Sequence, residues 1–175
     1  GPNGKIVRMR GSACRVPELI ALPEGLIDPM LKTVAFYSGD EKVVSCHYYA
    51  CHPMSHYGRG EVSSDFVGLA RKRMQEQEPG CIHLYFTGGA GNIAAGKYKD
   101  GTPEARVEMT GRLYDAMVAA ERKLTATPLK KVSWVTHDLL PEVNPVFTEA
   151  GDLTQMKNAA NGAASRIRPA MRVSW

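Results

Sequence analysis

The sequence predicts an α/β fold: a mixed β-sheet flanked by helices. Three observations carry this. Thr33-Val34-Ala35-Phe36-Tyr37, a Ser38-Gly39-Asp40-Glu41 turn and the run Lys42 to Cys51 read as a β-hairpin. A helix follows, with Ser63 or Ser64 as its cap and Asp65 at its positive end, running to about Glu78, where Pro79-Gly80 stops it. A short apolar strand, Cys81 to Phe86, then leads through a glycine-rich loop and a polar loop to a second helix.

That second helix opens at Thr102-Pro103-Glu104, with threonine as cap and proline at the first position, and runs to about Leu124. Val107, Gly111, Tyr114 and Val118 fall on one side of it. Val132 to Thr136 reads as a strand, Asp152 to Arg166 as a less apolar helix, and Met171 to Trp175 as the start of another strand. Residues 1–30 read as an irregular surface segment. Pro2, Pro17, Pro23 and Pro29 break any long helix there, and Val16 to Leu22 has room for one or two turns. The whole chain, 1–175, is read as a single α/β domain.

The 175 residues suffice for one sizeable core, and 43% apolar with 23% charged residues is ordinary for a globular chain. No stretch approaches the roughly 20 apolar residues of a membrane span, and the N-terminus shows no signal-peptide core. The formal charge is +4, but its bases are scattered and no nucleic-acid motif with interleaved aromatics accompanies them, so no nucleic-acid partner is expected. Cys14, Cys46, Cys51 and Cys81 are too few for a disulfide scaffold and read as buried thiols.

The chemistry-bearing stretch is Cys51-His52-Pro53-Met54-Ser55, where a histidine ends an apolar strand and a proline stops it. Strand alternation places Val43, Ser45, His47, Tyr49 and Cys51 on one face, and Val44, Cys46, Tyr48, Ala50 and His52 on the other. His47 and His52 therefore point apart and do not share one ion unless a bulge intervenes. The four residues between Cys46 and Cys51 exclude the usual c-type haem spacing. His56, in the loop, is a further candidate; His83 and His137 rank below these. Gly88-Gly89-Ala90-Gly91-Asn92 is either an anion cradle or a tight turn that brings backbone close. It is neither a P-loop nor a dinucleotide fingerprint, and no G-x-S-x-G elbow is present.

Three motifs in order, Tyr49-Ala50-Cys51-His52-Pro53-Met54-Ser55, then Val62-Ser63-Ser64-Asp65-Phe66-Val67-Gly68, then Gly88-Gly89-Ala90-Gly91-Asn92-Ile93, resemble the neutral/alkaline non-lysosomal ceramidase family. The resemblance spans about Val34 to Leu124. It implies a zinc-dependent amidohydrolase acting on an N-acyl bond of a small-molecule or lipid amide substrate, with His52 as one zinc ligand. It further implies that Ser55, Asp65, Gly89, Gly91 and Asn92 surround the ligand or shape the substrate pocket, and that the setting is secreted or periplasmic. The family's other ligands are a histidine in an earlier Thr-His-Ser-like motif and a later glutamate and tyrosine. Those motifs are not visible here, so the expectation is a middle portion of the catalytic domain, with zinc held by ligands beyond this chain. Ala94-Ala95-Gly96 replaces the family's serine-containing segment, which weighs against ceramide itself as the substrate. The alternative is a non-catalytic α/β module that binds a lipid or a small polar ligand.

Overall fold

The computed structural model describes residues 2–56, 60–142, 144–145, 147–158 and 160–174. Tyr57–Arg59, part of the expected His56–Val62 loop, lie outside the described residues. The chain divides into two compact units, Gly1–Pro128 and Leu129–Trp175.

The first unit is α/β. After a 3-10 turn at Pro2–Gly4 comes a single helical turn, α1 (Pro17–Ile20), between the prolines that prevent anything longer. Strands β1 (Lys32–Ser38) and β2 (Glu41–Tyr49) form the antiparallel hairpin, with a register shift at Phe36/Tyr37. Helix α2 (Asp65–Gln77) then crosses to β3 (Ile82–Thr87), which pairs with β2 in parallel. The three-stranded sheet, ordered β1-β2-β3, is therefore mixed. Helix α3 (Pro103–Glu121) follows, its Thr102 hydroxyl accepting from the Ala105 amide.

The core forms where α2 and α3 pack together over the sheet. Phe66, Ala70 and Met74 recur every four residues on α2, as do Met109, Leu113 and Met117 on α3, and all are buried. Each large side chain so buried contributes on the order of 1.5–3 kcal/mol. This stripe corrects the helix face read from the sequence: Tyr114 and Val118 only flank the core and Val107 is exposed. The methionines, flexible and apolar, fill the seam instead.

The opposite sheet face carries Val34, Phe36, Tyr48, Ile82 and Phe86, all exposed. Gly96 fastens the N-terminal segment to this unit. A Cβ there would come within 2.0 Å of the Gly11 carbonyl oxygen, so only glycine permits the approach. The Cys14 amide donates to the Gly96 and Lys99 carbonyls nearby. All four cysteines are buried thiols.

The second unit departs from the expected pattern in three places. Residues 132–136 form no strand: Val132, Trp134 and Val135 are 71–90% exposed. A β-prone run without a paired neighbour lacks the ladder that stabilises it. The helix expected over Asp152 to Arg166 is two helices, α4 (Glu149–Lys157) and α5 (Ala163–Val173). Asn158 breaks them by accepting the Ala160 amide on its side chain, and Gly162 is the cap position of α5. Met171 to Val173 lie in α5 rather than in a strand, and Trp175 lies outside the described residues. Arg172 binds both oxygens of buried Asp152, at 2.8 and 2.5 Å, and stacks on Phe147, so α5 is tied to α4 by a fork-shaped pair. Among the described residues, no helix of either unit is long and apolar enough to cross a membrane.

Candidate functional site

Strand β2 ends at Tyr49, two residues earlier than the sequence predicts. The Cys51 amide turns back to the Tyr49 carbonyl, which also accepts from Gly88. His52 thus stands in the loop after the strand, and alternation along β2 does not decide its direction.

What holds His52 is the glycine-rich loop after β3. Its main-chain amide and its ring Nδ1 both lie on the Ile93 carbonyl, at 3.1 and 2.9 Å. A carbonyl oxygen only accepts, so Nδ1 carries a proton, and in the neutral tautomer this selects, Nε2 is the lone-pair nitrogen. Gly89, Gly91 and Asn92 are exposed, and a side chain at either glycine would meet open space. The working part of the loop is its Ile93 carbonyl, together with Gly88, which approaches the Ala50 backbone closely. Both loops lie at the carboxyl ends of the parallel strands β2 and β3, where open α/β sheets present ligand sites.

Asp65 locks the segment below. It takes the left-handed conformation (φ 52°), and Ser63 Oγ accepts from its amide. Ser64 occupies the cap position without a side-chain bond, while Ser63 Oγ takes the first helical amide and the Asp65 carboxylate takes the next, that of Phe66. The buried carboxylate accepts from the Phe66, Ser55 and His56 amides and from the Ser55 hydroxyl. Burial alone would raise its pKa, but these hydrogen bonds, led by Ser55, outweigh it and hold the group below the ordinary aspartate range. Gly68 allows the close turn: a Cβ there would lie 2.2 Å from the Ser64 side chain.

Buried Lys99 donates to the Met54 carbonyl, completing the tie. Its pKa is lowered by burial, against the opposing pull of Asp65 and Cys51. His56 Nδ1 is buried and has no hydrogen-bond partner among the described residues.

A second constellation lies between the sheet and the end of α3. His47 and His83, each at most 2% exposed, stack with rings 5.5 Å apart. His47 Nδ1 meets Thr33 Oγ1 at 2.9 Å and His47 Nε2 meets His83 Nδ1 at 3.2 Å. Glu121, the last residue of α3, puts Oε1 3.8 Å from His47 Nε2. Ser45 donates to Oε1 and Lys42 to Oε2, and Lys42 also reaches Glu78 at 2.7 Å.

Burial holds His47 down at about 4 despite the pull of Glu121, and burial lowers His83 likewise, so both rings are neutral near pH 7. Burial would also lower Lys42 and raise Glu121. Their mutual contact prevails, raising the lysine and lowering the carboxylate.

Sequence reasoning passed over Lys42, Glu121 and Thr33, and ranked His83 low. A buried-face position two residues from His47, Ser45, was the one available signal, because β3 pairs His83 directly opposite it. The described residues contain two groups able to hold a metal ion, His47-His83-Glu121 and Glu78-Cys81-His83. His52 belongs to neither. No family model, no curated protein and no solved structure matches this chain.

Proposed function

We propose that this chain contributes one corner of a zinc site for hydrolysing an amide, N-acyl, bond, with His52 as the ligand it supplies. The observation that carries the reading is the Nδ1 contact of His52 with the Ile93 carbonyl, which leaves Nε2 as a lone pair. Metal-binding histidines are commonly oriented in this way, with the other ring nitrogen donating to a carbonyl or carboxylate. When bound, zinc supplies a Lewis acid that lowers the pKa of a water and polarises the amide carbonyl. The chain's own part is positional. Ile93 fixes the ring, and Asp65 and Lys99 hold Ser55 and Met54, so the loop carrying His52 is tied at three points.

A cleft of about 480 Å³ adjoins this loop at Cys51 and is lined by Leu31, Tyr49, Phe66, Met109 and Leu113, with Arg112 among the polar residues. Such a lining suits the acyl part of a small-molecule or lipid amide. A second reading is a non-catalytic module that binds such a ligand in the same cleft. It is favoured by the absence of His52 from both metal-donor groups of the described residues.

Zinc titration followed by ¹⁵N chemical shifts, together with turnover of short N-acyl amides, separates the two. The zinc reading expects a shift at His52 Nε2 and hydrolysis lost in His52→Ala. Hydrolysis unchanged in that variant would remove His52 from the chemistry. Binding of an acyl amide without turnover would establish the module instead.

A further inference from the structure

We propose that His47, His83 and Glu121 form a buried site for a divalent cation of the zinc class, separate from the His52 loop. One donor atom from each of the three residues lies within 4.8 Å of the others. The separations of 3.2 Å from His47 Nε2 to His83 Nδ1, and 3.8 Å from His47 Nε2 to Glu121 Oε1, fall close to what one ion requires. Ligands at roughly 2.0–2.1 Å in a tetrahedral shell stand about 3.3 Å from one another. Two imidazoles with one carboxylate are a common zinc donor set.

Each donor is also oriented by a second contact. Thr33 stands on the far nitrogen of His47, and Lys42 and Ser45 fix the Glu121 carboxylate. His83 Nε2 is buried without a well-formed hydrogen bond, its nearest acceptor being Glu78 Oε2 at 3.4 Å. A proton on Nε2, facing that carboxylate, leaves Nδ1 as the lone pair turned toward His47. Without a cation, His47 must place its own proton between the two rings and accept from the Thr33 hydroxyl. With one, the hydroxyl reverses and accepts from His47 Nδ1, and both facing nitrogens bind the ion. Threonine serves either arrangement, since its hydroxyl both donates and accepts.

Charge and field favour the cation. Two carboxylates, Glu78 and Glu121, stand against one ammonium, Lys42, so the pocket carries surplus negative charge. Glu121 closes a 19-residue helix, whose C-terminal end is the negative pole. Lys42 occupies Oε2 of Glu121, so Oε1, shared with Ser45, faces His47. The alternative group, Glu78-Cys81-His83, is the weaker choice. Glu78 is 41% exposed at its side chain and is held by Lys42 at 2.7 Å.

The test is Co²⁺ binding to the full chain, with Zn²⁺ in competition. One equivalent of Co²⁺ should give the visible absorption of a tetrahedral site without a thiolate charge-transfer band. Zn²⁺ should raise Tm and shift the ¹⁵N resonances of His47 and His83, with or without a shift at His52. Glu121→Gln, which preserves side-chain volume, should weaken binding by at least about tenfold, the lower range seen for outer contacts of metal sites. The proposal is overturned by no cobalt uptake, by affinity unchanged in Glu121→Gln, by a thiolate band that moves the ion to Cys81, or by shifts at His52 alone. If Glu121→Gln does not fold, the ¹⁵N shifts of the unaltered protein decide. A shift confined to His52 would support the amidohydrolase reading while ending this one, so the two fail separately.

Discussion

His52 and His47 stand five residues apart and live in opposite physical regimes. His52 is half-buried in a loop, its Nδ1 pinned by one carbonyl, with no hydrogen bond at its other ring nitrogen among the described residues. His47 is wholly buried in a strand, its ring contacts coming from β1, β3 and the end of α3. The first arrangement suits a group that must meet a ligand from outside. The second suits one that joins elements together, because each partner it holds belongs to a different part of the chain. A histidine's role is therefore set less by its neighbours in sequence than by whether its second nitrogen is spent inside the fold.

The largest expected effect tests whether the two regions share one cooperative unit. Phe66 is 2% exposed, follows Asp65 and packs in the α2–α3 core. Phe66→Ala should cost about 3–5 kcal/mol in urea unfolding, with the His52 and His47 signals lost in a single transition. Two separate transitions would divide the regions into independent units.

Asp65→Ala should cost about 2–4 kcal/mol, since it leaves the buried Ser55 amide and hydroxyl and the His56 amide without their acceptor. Hydrogen exchange should quicken at Ser55 and His56 but not at His47. The pH dependence has a definite sign. The folded Asp65 pKa lies below its unfolded value of roughly 3.9, so its contribution is present above that pH. It is lost as pH falls through the folded pKa. The original protein and Asp65→Ala should therefore converge in stability in strong acid, and a constant gap would refute the assignment.

Smaller effects sharpen the contrast. Thr33→Val should cost about 1 kcal/mol and shift the His47 Nδ1 resonance in ¹⁵N spectroscopy, because the valine methyl cannot bond Nδ1. His52→Ala should change stability by no more than about 1 kcal/mol, as it removes one ring hydrogen bond at a half-buried position. Its effect should appear in ligand or metal binding instead. A loss of several kcal/mol would mean that His52 is a structural residue like His47.

Much of this was legible beforehand, for local reasons. Pro79-Gly80 ends α2, Thr102-Pro103 starts α3, and the Ser38–Glu41 turn makes the hairpin, since each acts through its own backbone. The second unit was misread where local preference had no partner to act on: Val132 to Thr136 has strand-forming residues but no ladder. Among the site residues, Ser55 and Asp65 do meet, whereas Gly89, Gly91 and Asn92 are the exposed part of the loop whose Ile93 carbonyl holds His52.

By itself the sequence determined the α/β class, the mixed order of strands and helices, and the position of His52 after an apolar strand. These follow from periodicity, caps and breakers, which are short-range properties of the chain. Only the tertiary structure decided which nitrogen of His52 the Ile93 carbonyl holds, that the Asp65 carboxylate gathers the Ser55 and His56 amides, and that His47, His83 and Glu121 meet. The last contact joins residues up to 74 positions apart (121 − 47) through a parallel strand pair and a helix end. No local pattern encodes it, because burial and packing of the whole unit bring those side chains to one place.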